Sequence, residues 1–416
     1  MSDLIVRSLS AVLPHRVAET PVMLLEGPRS VGKSTLLAEL TPSSGHPIFD
    51  LDQGQFRRLA EQNESALVAS ESPVLIDEYQ RVPSLLDAIK ARLNQSSRPG
   101  MFVLAGSSSY DSLPQGTQAL TGRIQRLTVM PFTQTEIDGT DNRFIERAFE
   151  SSITHSATPA LTERAEYIDR IMRGGMPLAV AAGSTDARSR WLQGHVRQSL
   201  ERDAGEIRRI HRKADLRHFL NRIAGQTASL LNVSKLAQGL ESSRDTAAAY
   251  LELLESLFLV SSLPAWGTTI SSRSVAAPKI HVVDSGIGAH LLRLSSAKLR
   301  RLDPSAMTEF GHLLESFVVQ EVIRQTTWMS APVFVGHWRT RDNDEVDLIL
   351  ERSDGAVIGI EIKAGEQVES HQFSGLRKLR DRLGSSFVAG IAFHLGKVGY
   401  QVEDRLHSLP VDRLWR

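Results

Sequence analysis

The chain has 416 residues and carries 48 Lys plus Arg against 48 Asp plus Glu, so its formal net charge at pH 7 is zero. This balance excludes a general electrostatic attraction to nucleic acid or to an anionic membrane, and any such binding must come from local patches. The chain has no cysteine, which excludes disulfides, zinc–thiolate sites and cysteine nucleophiles.

The hydropathy pattern bears on where the protein resides. The first 17 residues, "MSDLIVRSLSAVLPHRV", lack the continuous apolar core and the cleavage site of a signal peptide. No stretch approaches the roughly 20 apolar residues that span a bilayer. We therefore expect a cytoplasmic protein that makes no contact with a membrane. Its length suggests about two to four domains.

The first motif of the chain lies between an apolar run, residues 22–25, and a helical pattern that begins near Ser34. Its spacing is Gly-x-x-x-x-Gly-Lys-Ser, in which glycines let backbone N–H groups surround phosphate oxygens at the positive end of a helix. We expect Lys33 to reach the β- and γ-phosphates of a nucleotide and the Ser34 hydroxyl to bind Mg²⁺. The predicted nucleotide-binding residues are Gly27, Pro28, Arg29, Ser30, Val31, Gly32, Lys33, Ser34 and Thr35.

A second apolar run, Val74-Leu75-Ile76, ends in the acidic pair Asp77-Glu78. A carboxylate at the end of such a strand can hold Mg²⁺, and its neighbour can orient an attacking water. We assign the first role to Asp77 and the second, catalytic role to Glu78. After a phosphate loop, this pair predicts that a bound nucleotide is hydrolysed.

Two further residues are candidates for contact with the γ-phosphate. Ser107 follows the apolar strand pattern of residues 100–106 and is a candidate sensor, although a serine-rich turn explains it equally well. Arg123 follows Gly122 and is a candidate for stabilising transition-state charge. A solvated surface arginine is the rival interpretation, and the sequence does not say whether Arg123 would act on its own subunit or on a neighbour.

Strands and helices alternate from about residue 20 to residue 135, which favours a mainly parallel sheet with helices on both faces. In such a sheet a nucleotide lies at the carboxyl ends of the strands. The sequence therefore predicts an α/β domain in this region.

Six segments in chain order are similar to a prokaryotic family of AAA-type ATPases that carry a C-terminal domain of unknown function: "LLEGPRSVGKSTLL", "PVLIDEYQRVPSLLDAIK", "FVLAGSSS", "LTGRI", "MRGGMPLAV" and "SLERDAGEI". The resemblance implies ATP rather than GTP, in agreement with the lack of a guanine-reading Asn-Lys-x-Asp segment. It also implies that Gly174, Gly175 and Pro177 lie near the nucleotide. A plain tight turn is the alternative for these three residues.

The middle of the chain contains a helix-turn-helix pattern between residues 230 and 264, with Ser243 as the expected N-cap of its second helix. A strand pattern follows, as in winged-helix folds. In DNA-binding versions the second helix enters the major groove, but here it begins Arg-Asp-Thr and continues with three alanines. DNA reading and protein packing both remain open for this segment.

Acidic residues recur in the C-terminal third on three predicted elements. Glu315 lies in an amphipathic helix, Asp347 in a strand, and Glu361 and Lys363 in the next strand. Because strand side chains repeat every second residue, Glu361 and Lys363 share a face. This order resembles the restriction-endonuclease-like nuclease superfamily.

The resemblance implies that Glu315, Asp347 and Glu361 gather Mg²⁺ and that Lys363 acts catalytically by orienting or activating the attacking water. Trp338, Arg339 and Arg341, just before the second strand, suit phosphate contacts. Folds of this kind also exist that bind DNA without cutting it, so cleavage is a separate question.

Taken together, the patterns predict an α/β protein in four parts. These are a P-loop parallel-sheet ATPase domain (1–160), a helical region (161–226), a winged-helix-like segment (227–270) and a restriction-endonuclease-like α/β domain (271–416). We expect a Mg²⁺-dependent ATPase whose nucleotide state controls a nuclease-like, DNA-processing domain. The alternative is a nucleotide-dependent switch that binds DNA or a partner protein without cleavage. Both hypotheses are compatible with an oligomer.

Overall fold

The computed structural model describes residues 4–45, 47–70, 73–112, 120–153, 159–207, 213–238, 244–267, 277–340, 342 and 344–416. Within them the strands are β1 (Val22–Glu26), β2 (Ile48–Asp50), β3 (Val74–Asp77), β4 (Phe102–Gly106), β5 (Ile124–Thr128), β6 (Ser229–Leu230), β7 (Val260–Leu263), β8 (Lys279–Val282), β9 (Val333–Arg339), β10 (Glu345–Arg352), β11 (Val357–Ile362), β12 (Phe387–His394), β13 (Tyr400–Glu403) and β14 (Leu406–Pro410).

The helices of the same residues are α1 (Leu9–Val17), α2 (Lys33–Ser44), α3 (Gly54–Gln62), α4 (Glu64–Val68), α5 (Leu85–Gln95), α6 (Gln134–Asp138), α7 (Phe144–Phe149), α8 (Arg164–Arg173), α9 (Pro177–Val180), α10 (Thr185–Gln198), α11 (Ala204–Ile207), α12 (Lys213–Gly225), α13 (Val233–Ala237), α14 (Arg244–Ser256), α15 (Ser285–Leu291), α16 (Ser296–Arg300), α17 (Pro304–Thr326) and α18 (Ser374–Leu383). None of these described helices is both long enough and apolar enough to cross a lipid bilayer.

Contacts divide the chain into two compact units. The first comprises Met1–Phe132, Arg197–Lys213 and Leu251–Leu259, and the second comprises Thr133–Val196, Ala214–Tyr250 and Val260–Arg416. Both units are thus assembled from separate stretches of the chain. The four consecutive parts expected from the sequence stay a prediction.

The first unit contains a five-stranded sheet of order β2-β3-β4-β1-β5, and every strand pair in it is parallel. All residues of β1, β3 and β4 are buried, as expected for a parallel sheet covered on both faces. The predicted α/β fold with a parallel sheet is confirmed. Because the strands run in the same direction, their carboxyl ends share one edge, and the loop after β1 begins there.

The second unit contains a six-stranded mixed sheet of order β13-β14-β12-β11-β10-β9. Strands β9, β10 and β11 pair antiparallel, whereas β11, β12 and β14 pair parallel. Helix α17 precedes β9 and helix α18 precedes β12, which is the order helix, three strands, helix, strand expected from the sequence. The restriction-endonuclease-like identity of this sheet stays a prediction.

A smaller antiparallel sheet in the second unit has the order β6-β8-β7. Its neighbours in the chain, α13 and α14, are the two helices of the predicted helix-turn-helix pattern. The expected turn, with Ser243 as N-cap, lies outside the described residues. A winged helix therefore stays a prediction.

Candidate nucleotide site and carboxylate cluster

The loop between β1 and α2 has a backbone that depends on glycine. Gly27 has a φ of +152°, and a Cβ atom there would lie 2.1 Å from the carbonyl oxygen of Val129. Gly32, the N-cap of α2, has a φ of +97°, and Ser30 between them has a φ of +64°. Residues of positive φ set among ordinary ones turn the backbone N–H groups of a loop into a concavity that binds anions. The loop therefore has the shape that phosphate binding requires.

Lys33, the first residue of α2, holds its ammonium inside this loop. The residue is 6% exposed, and its Nζ donates to the carbonyl oxygens of Gly27 at 2.9 Å and Pro28 at 2.8 Å. Burial lowers the pKa of Lys33 to about 8. A buried cation thus lies at the amino end of a helix of 12 residues, where the helix dipole also favours an anion.

Ser34 and Asp77, the two residues expected to hold Mg²⁺ at this site, are in contact. Asp77 ends β3, is 5% exposed and accepts a hydrogen bond from the Ser34 hydroxyl. Its Oδ1 also accepts from the backbone N–H of Glu78 at 2.9 Å, and burial raises the pKa of Asp77 above its ordinary value. A hydroxyl and a carboxylate side by side are the oxygen ligands that Mg²⁺ prefers, so these residues fit the ion.

Glu78 lies at the same edge of the sheet and is held in a small polar network. Its φ is +53°, a left-handed conformation that is uncommon for a residue other than glycine. Its Oε2 accepts hydrogen bonds from Gln80 Nε2 and from Ser107 Oγ, at 3.3 Å. Gln80 Nε2 also donates to Ser107 Oγ at 3.2 Å. The sequence predicted Glu78 and Ser107 separately. The structure joins them by a direct hydrogen bond and also through Gln80, which the sequence did not single out.

A second residue missed by the sequence is Asp203. It ends the π-helical turn Ser199–Asp203, and its Oδ1 lies 3.1 Å from an Nη atom of Arg29 in the phosphate loop. The side chains are 22% and 8% exposed for Arg29 and Asp203. The segment "SLERDAGEI" contributed to the family resemblance but carried no assigned role.

Arg123 is not brought to the phosphate loop of its own chain. It directly precedes β5, whose first residue, Ile124, pairs with Val22 at the beginning of β1. The phosphate loop follows Glu26 at the other end of β1, and Glu26 is about 13 Å from Val22 at 3.3 Å per strand residue. An Nη atom of Arg123 donates to Asn94 Oδ1 at 2.6 Å. A role towards the nucleotide of its own subunit is therefore not supported by this position, and a role on a neighbouring subunit stays a prediction.

Gly174 and Gly175 form a tight turn in the second unit, against Asp284. A Cβ atom on Gly174 would lie 2.2 Å from Asp284 Oδ1, and Gly175 N–H donates to Asp284 Oδ2 at 2.7 Å. Asp284 also caps α15 by accepting from the N–H of Ile287. This packing accounts for the glycines, and the proximity of Gly174, Gly175 and Pro177 to a nucleotide stays a prediction.

The carboxylates predicted in the C-terminal third line one cavity of about 400 Å³, together with Lys363. Asp347 on β10 and Glu361 on β11 each accept from the backbone of the other strand: Asp347 N–H donates to Glu361 Oε2 at 3.2 Å and Ile362 N–H to Asp347 Oδ2 at 3.0 Å. Lys363 Nζ donates to Glu361 Oε1 at 3.2 Å. Glu315 of α17 lines the same cavity, as does Glu345, the first residue of β10. We call Glu315, Glu345, Asp347 and Glu361 the carboxylate cluster.

Lys279, which the sequence analysis did not single out, reaches into the carboxylate cluster. Its Nζ donates to Glu315 Oε1 at 2.7 Å and to Asp347 Oδ1 at 3.0 Å, and it lies 2.6 Å from Glu345 Oε1. These contacts match the three N–H donors of an ammonium group. The side chain is 2% exposed. The signal that identifies Lys279 is a lysine in the short strand β8, all of whose residues are buried, because a buried lysine requires an acidic partner.

The charged side chains of the cluster shift one another's pKa values. Although burial alone would lower it, Asp347, Glu315 and Glu345 raise the pKa of Lys279 above its ordinary value. Burial would raise the pKa of Asp347, but Lys279 and Lys363 hold it below its ordinary value. Burial, together with the neighbouring Asp347, raises the pKa of Glu315 and of Glu361. The cluster is thus balanced by side chains of the protein itself.

The carboxylate cluster as it stands does not fit a metal ion. Among the residues that the structure describes, no group of three or more His, Cys, Asp or Glu side chains is arranged to hold one. The space between Glu315 and Asp347 contains the Lys279 ammonium. The metal-binding roles of Glu315, Asp347 and Glu361 stay predictions. Arg339 lines the cavity, whereas Arg341 lies outside the described residues.

Three stretches of the chain match known protein families. Residues 19–138 match the AAA domain, residues 164–298 match a domain of unknown function, DUF8612, and residues 310–414 match another, DUF4143. The first match contains the phosphate loop, Asp77, Glu78 and Ser107. The last contains Glu315, Asp347, Glu361 and Lys363.

Two mycobacterial proteins are similar to nearly the whole chain. Uncharacterized protein Rv2008c of Mycobacterium tuberculosis and uncharacterized protein Mb2031c of Mycobacterium bovis are each 26% identical over 411 residues, which is 98% of this chain and 84% of theirs.

Among solved structures, the Walker-type ATPase paby2304 of Pyrococcus abyssi is 17% identical, with a TM-score of 0.37 over 70% of this chain and 97% of its own. AMPPCP-bound DnaA from Aquifex aeolicus is 11% identical, with a TM-score of 0.30 over 61% of this chain and 90% of its own. The family match and the geometry of the phosphate loop lead to the same conclusion: the chain carries an ATP-binding, AAA-type P-loop ATPase domain and a C-terminal DUF4143 domain.

Proposed function

We propose that the protein is a Mg²⁺-dependent ATP hydrolase. One observation carries this proposal. The buried Lys33 ammonium, the hydrogen-bonded pair Ser34 and Asp77, and the carboxylate of Glu78 lie along the carboxyl edge of one parallel sheet. These are the groups that phosphoryl transfer to water requires.

Each residue has a distinct proposed role. Ser34 and Asp77 would hold Mg²⁺, which when bound neutralises negative charge on the phosphates. Lys33 would leave its carbonyl partners and bind the β- and γ-phosphates. Glu78 would orient the attacking water and accept its proton, while Ser107 and Gln80 fix the carboxylate through their hydrogen bonds. Arg123 has no role in this proposal within one subunit.

The proposal is tested by measuring phosphate release from ATP by the purified full chain, with Mg²⁺ and with an excess of chelator. We expect steady release with Mg²⁺ and none with the chelator. A folded protein that binds ATP but releases no phosphate with Mg²⁺ would leave a nucleotide-binding protein without hydrolase activity.

ATP binding is predicted to take up protons near pH 8. Burial lowers the pKa of Lys33 to about 8, so in the nucleotide-free protein about half of the chains carry a neutral Lys33 at that pH. A triphosphate beside the amine raises its pKa again, and binding should therefore take up about half a proton at pH 8. Apparent affinity should fall as the pH rises above this value.

The measurement is calorimetry at pH 8 in two buffers of different ionisation enthalpy. The observed heats should differ between the buffers at pH 8 and differ much less at pH 6.5, where Lys33 is already protonated. Equal heats in both buffers at pH 8 would contradict a titrating Lys33.

For the C-terminal domain we propose that nucleotide state controls binding of DNA or a partner protein, without cleavage. The order of Glu315, Asp347 and Glu361–Lys363 along the sequence favours a metal-dependent nuclease, and these four residues line one cavity. The placement of Lys279 among these carboxylates favours the non-cleaving alternative. A switch of this kind predicts that ATP alters affinity for the bound macromolecule and that Glu361→Gln leaves that change in affinity intact.

A plasmid assay distinguishes the nuclease from a domain that binds without cleaving. We expect supercoiled plasmid to stay intact with the wild-type chain, ATP and either Mg²⁺ or Mn²⁺, because metal has no free position in the carboxylate cluster. The Lys363→Ala variant serves as the control for contaminating nucleases. Nicking by the wild type that Lys363→Ala abolishes would establish the nuclease instead.

A further inference from the structure

We infer that Lys279 is a built-in cation that takes the metal position of the carboxylate cluster, and that the cluster becomes a divalent-metal site once this ammonium is removed. The ion pairs of Lys279 do not depend on whether the first unit hydrolyses ATP.

The ligands of Lys279 support this inference. Two of the three carboxylates around its Nζ, Glu315 and Asp347, are those that the sequence pattern assigns to a metal. The third, Glu345, lies two residues before Asp347 on β10, and both side chains reach the same ammonium. Carboxylate oxygens from several elements that converge on one cation are the arrangement that Mg²⁺ and Mn²⁺ require.

Lys279 is also fixed in place by the fold. It begins β8, the central strand of the small sheet, where it pairs with Leu230 of β6 and Leu263 of β7. With 2% of its side chain exposed, the ammonium cannot move into solvent unless the surrounding structure opens. The ion pairs are therefore part of the fold rather than a transient surface contact.

Lys279 and a divalent ion exclude each other for two reasons. The Lys279 ammonium already uses the oxygens Glu315 Oε1 and Asp347 Oδ1, and Asp347 Oδ2 accepts from the N–H of Ile362. A second cation on the same carboxylates would also lie within several ångströms of the ammonium, where like charges in a buried site repel strongly. Conversely, removing Lys279 leaves buried carboxylates without their counter-ion, which a divalent cation would compensate.

If the non-cleaving function proposed above is correct, Lys279 also supplies its physical reason. Glu315, Asp347 and Glu361 follow the order typical of a metal-dependent nuclease, but the Lys279 ammonium takes the place of the metal ion. Failure of the proposed ATP hydrolysis would not affect this inference, since the test below uses no nucleotide.

The test counts bound Mn²⁺ by electron paramagnetic resonance in the nucleotide-free full chain. The variants are Lys279→Met, which keeps most of the side-chain volume, and Lys279→Met combined with Asp347→Asn. Lys378→Met is the matched control, because Lys378 forms a more exposed ion pair with Asp344, with 57% of the lysine side chain exposed. Circular dichroism establishes that each variant is folded.

We expect Lys279→Met to gain a Mn²⁺ site at least about tenfold tighter than any in the wild type, and the added Asp347→Asn to abolish it. Wild type and Lys378→Met should behave alike. A folded Lys279→Met chain that binds no more Mn²⁺ than the wild type would overturn the inference.

Should Lys279→Met fail to fold, Mn²⁺ binding by the wild type is compared with Mn²⁺ binding by Asp347→Asn. This comparison shows whether a metal ion or Lys279 occupies the site. Equal Mn²⁺ binding by the two supports occupation of the site by Lys279. Tight binding by the wild type that Asp347→Asn abolishes contradicts it.

Discussion

Replacement of Lys33 by alanine is expected to weaken Mg·ATP binding by at least about thirtyfold, equivalent to about 2 kcal/mol, and to abolish turnover. Lys33 is the buried cation of the phosphate loop, and its Nζ already lies within hydrogen-bonding distance of two loop carbonyls. When a triphosphate enters, this ammonium is positioned to pair with it in a desolvated site, where such charge pairs are strongest. The measurement is calorimetric titration of the variant with Mg·ATP, alongside phosphate release.

Lys90→Ala is the matched control for this prediction. Lys90 is an exposed lysine on α5, in the same unit of the protein. It should bind and hydrolyse ATP like the wild type. If Lys33→Ala were folded and bound Mg·ATP as tightly as Lys90→Ala, the assignment of the phosphate loop would be wrong.

Replacement of Glu78 by glutamine should lower turnover by about 10²–10⁴-fold while Mg·ATP binding is retained. The range is that of a general base that removes a proton from the attacking nucleophile. Glutamine keeps the shape of the side chain and can still bond to Ser107 and Gln80, so the change removes mainly the ability to accept a proton. Single-turnover phosphate release and nucleotide binding, measured on the same preparation, separate the chemical step from binding.

The control here is Glu61→Gln, which changes an exposed carboxylate on α3 in the same way. Its turnover should equal that of the wild type. Unchanged turnover in Glu78→Gln would remove Glu78 from the mechanism and direct attention to another base. Loss of ATP binding in this variant would instead show that Glu78 acts on the shape of the site.

The phosphate loop and the acidic pair were predictable because their signals are local. Gly27 and Gly32 stand at positions of unusual φ, and the buried strands before the loop and before Asp77 are continuous apolar runs. In a parallel sheet such strand ends meet at one edge. The contact between Ser34 and Asp77 follows from these local patterns without knowledge of the strand order.

The position of Arg123 in the sheet could not be predicted from the local sequence. A glycine followed by arginine and an apolar strand does not reveal on which side of the residue the strand begins. The structure starts β5 at Ile124, which places Arg123 at the amino end of the sheet, next to Val22. If β5 had ended at Arg123 instead of beginning after it, Arg123 would lie at the carboxyl edge of the sheet, near the nucleotide.

Lys279 and Asp203 could not be predicted because their partners are distant in sequence. Gln80 was missed for a different reason: it belongs to no motif, although its partners Glu78 and Ser107 were both predicted. The contact of Lys279 with Asp347 joins residues 68 positions apart, and that of Arg29 with Asp203 joins residues 174 apart. A pattern of acids along the chain shows which carboxylates converge, but not which cation of the protein reaches them. For this reason the sequence predicted a metal site where the structure places an ammonium.

Calorimetric titration of the intact, folded wild-type chain with Mg·ATP tests nucleotide binding by the phosphate loop directly. We expect a saturable heat that corresponds to one nucleotide per chain and disappears in Lys33→Ala. A folded chain that gives no heat of binding with Mg·ATP or with Mg·ADP would contradict nucleotide binding by this loop.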